Sequence, residues 1–183
     1  MLIHAGDVTE DGAGQELASF NSWLGSLPFA EKVVIAGNHE LSAWDRRSAS
    51  VLARLLSNAV YLCDEGAMVQ GLYVYGTPWS PSQLRSQTEM ECLKERWEDI
   101  PAGTDILVVH SPPYGVLDRN ERGECIGDPG LRDRIREVRP RLVVFGHVHA
   151  SYGRVKMDGT TYVNAAILQR ESGGLNAPIV VEL

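Results

Sequence analysis

All five histidines of this 183-residue chain fall in four short stretches, each attached to an apolar run that reads as a strand. "LIHAGD" ends on Asp7, "VVIAGNHE" on Asn38, His39 and Glu40, "ILVVHSPP" carries His110, and "RLVVFGHVH" ends on His147 and His149. In an open α/β sheet, side chains just beyond the carboxyl ends of neighbouring strands converge on one crevice, so four clusters far apart in sequence can meet. Asp7, Asn38, His110, His147 and His149 then form a mixed oxygen and nitrogen donor set suited to Mn, Fe or Zn. A carboxylate has two oxygens, so Asp7 can bridge two ions, while a neutral imidazole offers one nitrogen lone pair. His147 and His149, two apart on a segment expected to be extended, would face the same side. Gly6, Gly37 and Gly146 are expected to let the backbone turn sharply or approach closely where the strands end.

Taken singly, each cluster has an ordinary explanation. Gly-Asp after a strand is commonly a turn, a lone buried His such as His4 commonly packs, and Asn38-His39 could cap the helix that follows. It is the four together, in this order, that point to a metal site.

The elements that must position them alternate. Val33 to Ala36, Leu72 to Tyr75, Ile106 to Val109, Leu142 to Phe145 and Ile179 to Val181 are short Val- and Ile-rich runs bounded by Gly, Pro or charge, which predicts strands. Helical spacing of apolar residues predicts helices over Gln15 to Leu27, Arg46 to Leu56, Thr88 to Trp97 and Leu131 to Val138. Ser151 to Lys156 and Thr160 to Asn164 flank Met157-Asp158-Gly159, a hairpin with an Asp-Gly turn. Gly76 to Ser82 reads as a loop. The order predicts α/β layering with a mixed sheet in one domain spanning 1–183.

With 44% hydrophobic and 22% charged residues the composition is that of a globular protein, and a net charge of -7 argues against a nucleic-acid polymer or an anionic membrane as partner. Cys63, Cys92 and Cys125 match neither a zinc-knuckle spacing nor an even disulfide framework, which predicts reduced thiols in a cytoplasmic protein. No apolar run approaches a membrane span.

"GD", "GNHE", "VVHSPP" and "GHVH" in this order resemble the calcineurin-like metallophosphoesterase superfamily. "NSWLGSLP", "VIAGNHE", "YGTPWSPS" and "RPRLVVFGHVHASYG" are similar to its MPPED-type branch. The resemblance implies a four-layer α/β/β/α sandwich with mixed sheets and hydrolysis of phosphate esters at a two-metal centre. It implies that Asp7 bridges both ions, that Asn38, His110 and His147 complete one site, and that His149 serves the other. Asn38 and His39 would contact substrate, with His39 as general acid to the leaving oxygen.

One departure stands out. The superfamily pattern opens with Asp-x-His on a strand upstream of Gly-Asp, and none of the ten Asp residues here has a His two places later. The expectation is therefore an N-terminally shortened chain without its first strand, with one metal site impaired, one ion in place of two, weaker stability and self-association through an exposed sheet edge. A natural single-metal form, or a partner chain supplying the strand, are the alternatives. The expected function is a metal-dependent phosphodiesterase on a small nucleotide-like substrate, with a non-catalytic or mononuclear phospho-ligand binder as the alternative. Tyr114, Arg119, Arg122 and Tyr152 could stack on a base or hold a phosphate, although Arg119 and Arg122 read more readily as a solvated loop face.

Overall fold

The computed structural model describes residues 1–43, 49–81, 87–169 and 173–183. Two sheets carry the architecture. The smaller is parallel and holds β1 (Leu2–His4), β2 (Lys32–Val34) and β3 (Val60–Tyr61) in that order. The larger holds β4 (Glu65–Val69), β5 (Leu72–Thr77), β6 (Ile106–Val109), β7 (Leu142–Phe145), β8 (Gly153–Met157) and β9 (Thr160–Asn164), in the order β4-β5-β6-β7-β9-β8. Strands β5, β6, β7 and β9 are parallel, and antiparallel β4 and β8 form the edges. The helices are α1 (Gly14–Ser26), α2 (Asn38–Ala43), α3 (Ala49–Leu55), α4 (Gln87–Glu98) and α5 (Pro129–Val138).

Side-chain alternation along the strands explains the packing. On β6, Ile106 and Val108 join Ala5, Val33 and Ile35 of the smaller sheet's side in one apolar cluster, while Leu107 and Val109 point the other way to Trp97 of α4 and Leu131 and Ile135 of α5. Val34 and Ala36 cover the opposite face of the smaller sheet with Leu17 and Leu24 of α1 and Leu52 of α3. Strands buried on both faces read as unbroken apolar runs, which is why Leu142–Phe145 is legible at sequence level.

The predicted hairpin is present: β8 and β9 pair antiparallel, and Asp158 (φ 51°) and Gly159 (φ 87°) take the left-handed conformations of a tight two-residue turn. Its first strand begins at Gly153, because His149–Ser151 forms a 3-10 turn. Ile179 to Val181 is not a strand. Ile179 and Val181 do pack on the cluster between the sheets, but the segment carries no ladder pairing. It is tethered instead by Tyr152 Oη and Arg154 Nη1, which donate to the carbonyls of Ala177 and Val180. Gly76 and Thr77, expected in a loop, belong to β5; Ser82, at the loop's other end, lies outside the described residues. Arg46 to Ser48 of the predicted second helix also lie outside them, and α3 begins at Ala49. The loop after β5 is fixed by Asp64, whose carboxylate accepts from Thr77 Oγ1 (2.7 Å), Trp79 Nε1 (2.9 Å) and Arg96 Nη1 (2.8 Å).

Candidate metal centre

Four strand ends deliver polar side chains to one place, and they come from both sheets. Asp7 and Asn38 follow β1 and β2 of the smaller sheet; His110 and His147 follow β6 and β7 of the larger. The crevice therefore lies between the two sheets, whereas the strand-end reasoning placed it along a single open sheet. His110 joins them directly: its ring is fully buried, Nδ1 stands 2.8 Å from the carbonyl of Ala5, and Nε2 stands 2.9 Å from Asn38 Oδ1 and 3.3 Å from Asp7 Oδ2.

Asp7 reaches this place through two left-handed residues in a row, Gly6 (φ 92°) and Asp7 itself (φ 55°). A Cβ on Gly37 would lie 2.2 Å from Asp7 Oδ1 and 2.6 Å from His110 Cε1, so only glycine lets the two sheets' ligands close up here. Gly146 differs from expectation. A Cβ there meets nothing within 4 Å, and the left-handed step falls one residue later on His147 (φ 64°).

That step also separates the last two histidines. His147 joins Asp7 and His110 in a group whose ligand atoms all lie within 4.8 Å of one another, and its ring meets that of His110 at 5.0 Å and 69°. His149 is outside the group and starts the 3-10 turn. The extended geometry expected for the pair is broken because positive φ at His147 redirects the chain.

The donor chemistry fits a cation. When a neutral His110 donates Nδ1–H to Ala5, its Nε2 is left with a lone pair facing Asn38 Oδ1 and Asp7 Oδ2. Three acceptor atoms thus converge, which is costly unless a positive charge sits among them.

Electrostatics follow from that crowding. Burial acts to raise the pKa of Asp7, but in the metal-free chain the hydrogen bond and positive charge that the His110 ring offers when protonated, with the His39 N–H, outweigh it and hold the carboxyl at about 2. Burial, then His110, push His147 down to about 4; His149 and His39 add to this and Asp7 opposes it. His4, whose ring meets Phe20 edge-on at 5.1 Å, is likewise pushed down to about 4, first by burial and then by His110. Its Nδ1 is buried and has no hydrogen-bond partner among the described residues.

A stability prediction follows. A histidine that binds its proton near 6.5 unfolded and near 4 folded stabilises the fold above its unfolded pKa, and that contribution is lost as pH falls from 6.5 towards 4. Between about pH 7 and pH 5 the metal-free chain is expected to lose roughly 2 kcal/mol for each of His4 and His147. Urea unfolding at the two pH values measures it; equal midpoints would mean that both rings accept protons in the folded state.

His39 stands at the start of α2. Its backbone N–H donates to Asp7 Oδ1 (3.0 Å), its Nδ1 is hydrogen-bonded to the carbonyl of Glu10, and its Nε2 faces Asp7 Oδ2 at 3.9 Å. The Glu10 carbonyl, followed by Asp7 and Glu40, raises its pKa against a smaller effect of burial. Of the residues considered for base or phosphate contact, Arg119 donates to Gly123 O within its own loop, Tyr152 Oη to Ala177 O, and Tyr114 lies 5.5 Å beneath the Arg132 guanidinium.

Two residues that the sequence reading gave no role hold this geometry. Glu40, 1% exposed, accepts four hydrogen bonds from the loops around Asp7, and Asn164, fully buried, ends β9 beside the turn of His147. Both were visible as polar residues at strand ends; what they face was not.

Comparison with known proteins agrees with this picture. Residues 1–151 match the family described as Calcineurin-like phosphoesterase. The human metallophosphoesterase domain-containing protein 1 is 39% identical over 211 residues, covering all of this chain, which spans 64% of that relative's length. A 3′,5′-cyclic-nucleotide phosphodiesterase from a Nostoc species is 23% identical, over 84% of this chain and 57% of its own. Among solved structures, the phosphopantetheinyl hydrolase of Mycobacterium tuberculosis superposes with a TM-score of 0.59 at 17% identity, over 91% of this chain and 78% of its own, a likeness of fold. With four strand ends from two sheets meeting at Asp7, Asn38, His110 and His147, and with that match over most of its length, the chain belongs to the calcineurin-like phosphoesterase family, in the branch of the metallophosphoesterase domain-containing proteins.

Proposed function

We propose that the chain holds a divalent cation, Mn, Fe or Zn, between Asp7, Asn38, His110 and His147, and hydrolyses phosphate esters with His39 as general acid. The observation that carries this is the convergence of His110 Nε2, Asn38 Oδ1 and Asp7 Oδ2 on one point. A bound cation supplies charge neutralisation of phosphoryl oxygens and an acidified water. His39, anchored through Nδ1 to Glu10, keeps Nε2 on the side of Asp7, and its raised proton affinity favours a transferable proton at that atom. Asn38 and His39, consecutive at the first turn of α2, would also contact substrate.

Among the described residues, one group of three His, Cys, Asp or Glu donors gathers within ligand distance, which supports one cation per chain; His149 and Asp7 alone would serve a second. The relative named as a cyclic-nucleotide phosphodiesterase supports small phosphodiesters of nucleotide type as substrates. Cys63 and Cys125 lie outside any disulfide, which supports a cytoplasmic location. None of the described helices is long and apolar enough to cross a membrane. Among the described residues strand β1 pairs with β2 alone, and its outer edge supports self-association.

The test is Mn content of the purified chain, its state by sedimentation, and hydrolysis of bis(4-nitrophenyl) phosphate against the monoester. About one ion per chain with Mn-dependent diester cleavage, abolished by chelation, is expected. A chain that binds no cation overturns the proposal. Binding without turnover favours the phospho-ligand binder, two ions with brisk turnover refute the single site, and a monomer at all concentrations refutes self-association.

A further inference from the structure

The turn that carries His147 and His149 does not hold itself. His147 has φ 64°, which a residue with a β-carbon keeps only where its surroundings impose it, and Val148 N–H closes a tight contact on Gly146 O at 2.6 Å. Opposite this turn lies the last residue of β9. In the parallel register Phe145 pairs with Asn164, and Ala165 N–H donates to Phe145 O (2.7 Å), so Asn164 sits beside the exit of β7 as the chain leaves towards His147.

Its carboxamide is fully committed. Nδ2 donates to Val148 O (2.8 Å) and to Leu117 O (3.1 Å), and Oδ1 accepts from Ala166 N–H (3.1 Å). Val148 is the residue between the two histidines. Leu117 is itself left-handed (φ 48°) and belongs to the 113–128 loop, whose buried Asp118 gathers Gly115 N–H and Gly127 N–H, and which is tied again to the turn by Ser151 Oγ donating to Arg119 O (2.7 Å). Two backbone carbonyls from separate segments need two hydrogen-bond donors on one short stem. Asn supplies them; Asp supplies none and Ser only one.

We propose that Asn164 is a positioning residue of the metal centre: through Val148 O it fixes the turn that aims His147 and His149, and through Leu117 O it locks the 113–128 loop against that turn. The inference rests on the cation site proposed above, and its test separates the two. In the metal-free chain, Asn164→Asp keeps the shape but turns an acceptor towards two carbonyls, and is expected to move the imidazole NMR resonances of His147 and His149 while leaving that of His39 in place. Its Mn affinity is expected to fall about tenfold or more, the range found when partners of metal ligands are lost. Asn164→Ser, which keeps one donor, should fall between it and the parent, and serves should the Asp variant not fold. Thr160→Val is the control: Thr160 is buried on the same strand and donates to Pro140 O (2.7 Å) at the end away from the site. Equal changes in Thr160→Val and Asn164→Asp, or unmoved resonances and affinity in both Asn164 variants, overturn the proposal. If the parent binds no Mn, the cation site fails and the resonances alone decide for or against Asn164.

Discussion

Glu40→Gln is expected to lower the Tm of the metal-free chain by about 2 to 12 °C and to weaken Mn binding about tenfold or more. Glu40 Oε2 accepts from Asp7 N–H (2.9 Å) and Gly37 N–H (2.8 Å), and Oε1 from Thr9 N–H (2.9 Å) and Thr9 Oγ1 (2.7 Å). Whichever way a glutamine amide is turned, its NH2 confronts at least one backbone N–H, and a buried donor without an acceptor costs about 1 to 3 kcal/mol, more where charge is involved. In a chain of this size each kcal/mol moves Tm by about 2 to 4 °C. The loss of affinity has a separate cause. The bonds to Asp7 and Gly37 are what hold Asp7 in its left-handed conformation against the glycine that abuts it. Calorimetry and Mn titration measure the two effects, and unchanged affinity with a lowered Tm would reduce Glu40 to a stability role.

His39→Ala is expected to lower kcat about 10²- to 10⁴-fold on a phosphodiester with a poorly acidic leaving alcohol, the range for loss of a general acid. With a nitrophenol leaving group, which departs without a proton, the loss should be far smaller. The sign of the pH dependence is fixed by the shift. His39 has a raised pKa, so it keeps its proton to higher pH than an ordinary histidine, and activity that needs that proton declines on the alkaline side, above the ordinary histidine value of 6.5. That alkaline limb should vanish in the variant. Mn binding should survive, because the His39 ring is not in the group formed by Asp7, His110 and His147. Equal losses on both substrates would place His39 in binding, away from proton transfer.

Much of this was legible in the sequence because parallel strands buried on both faces write themselves as apolar runs. Ile106–Val109 and Leu142–Phe145 occur where expected, and α1 and α5 lie within two residues of their predicted bounds. Strand β4 was not legible: "EGAMV" alternates poorly and holds no large β-branched pattern, and it is a strand because β5 pairs along its whole length. Ile179 to Val181 shows the converse, since an apolar run becomes a strand only where a neighbour offers a ladder, and here its apolar side chains are buried without one.

For the site, residue type and position at a strand end were enough to nominate Asp7, Asn38, His39, His110, His147 and His149, because metal chemistry restricts donors to few residue types. Sequence alone could not divide them. Only the folded chain decides that Asp7, His110 and His147 gather ligand atoms within 4.8 Å of one another while His149 stands outside that group, past a left-handed residue at His147. Nor could it mark Glu40 and Asn164 as the residues behind the ligands, because a carboxylate or amide acquires that role from the backbone groups it faces, and these include groups 16 to 47 residues away.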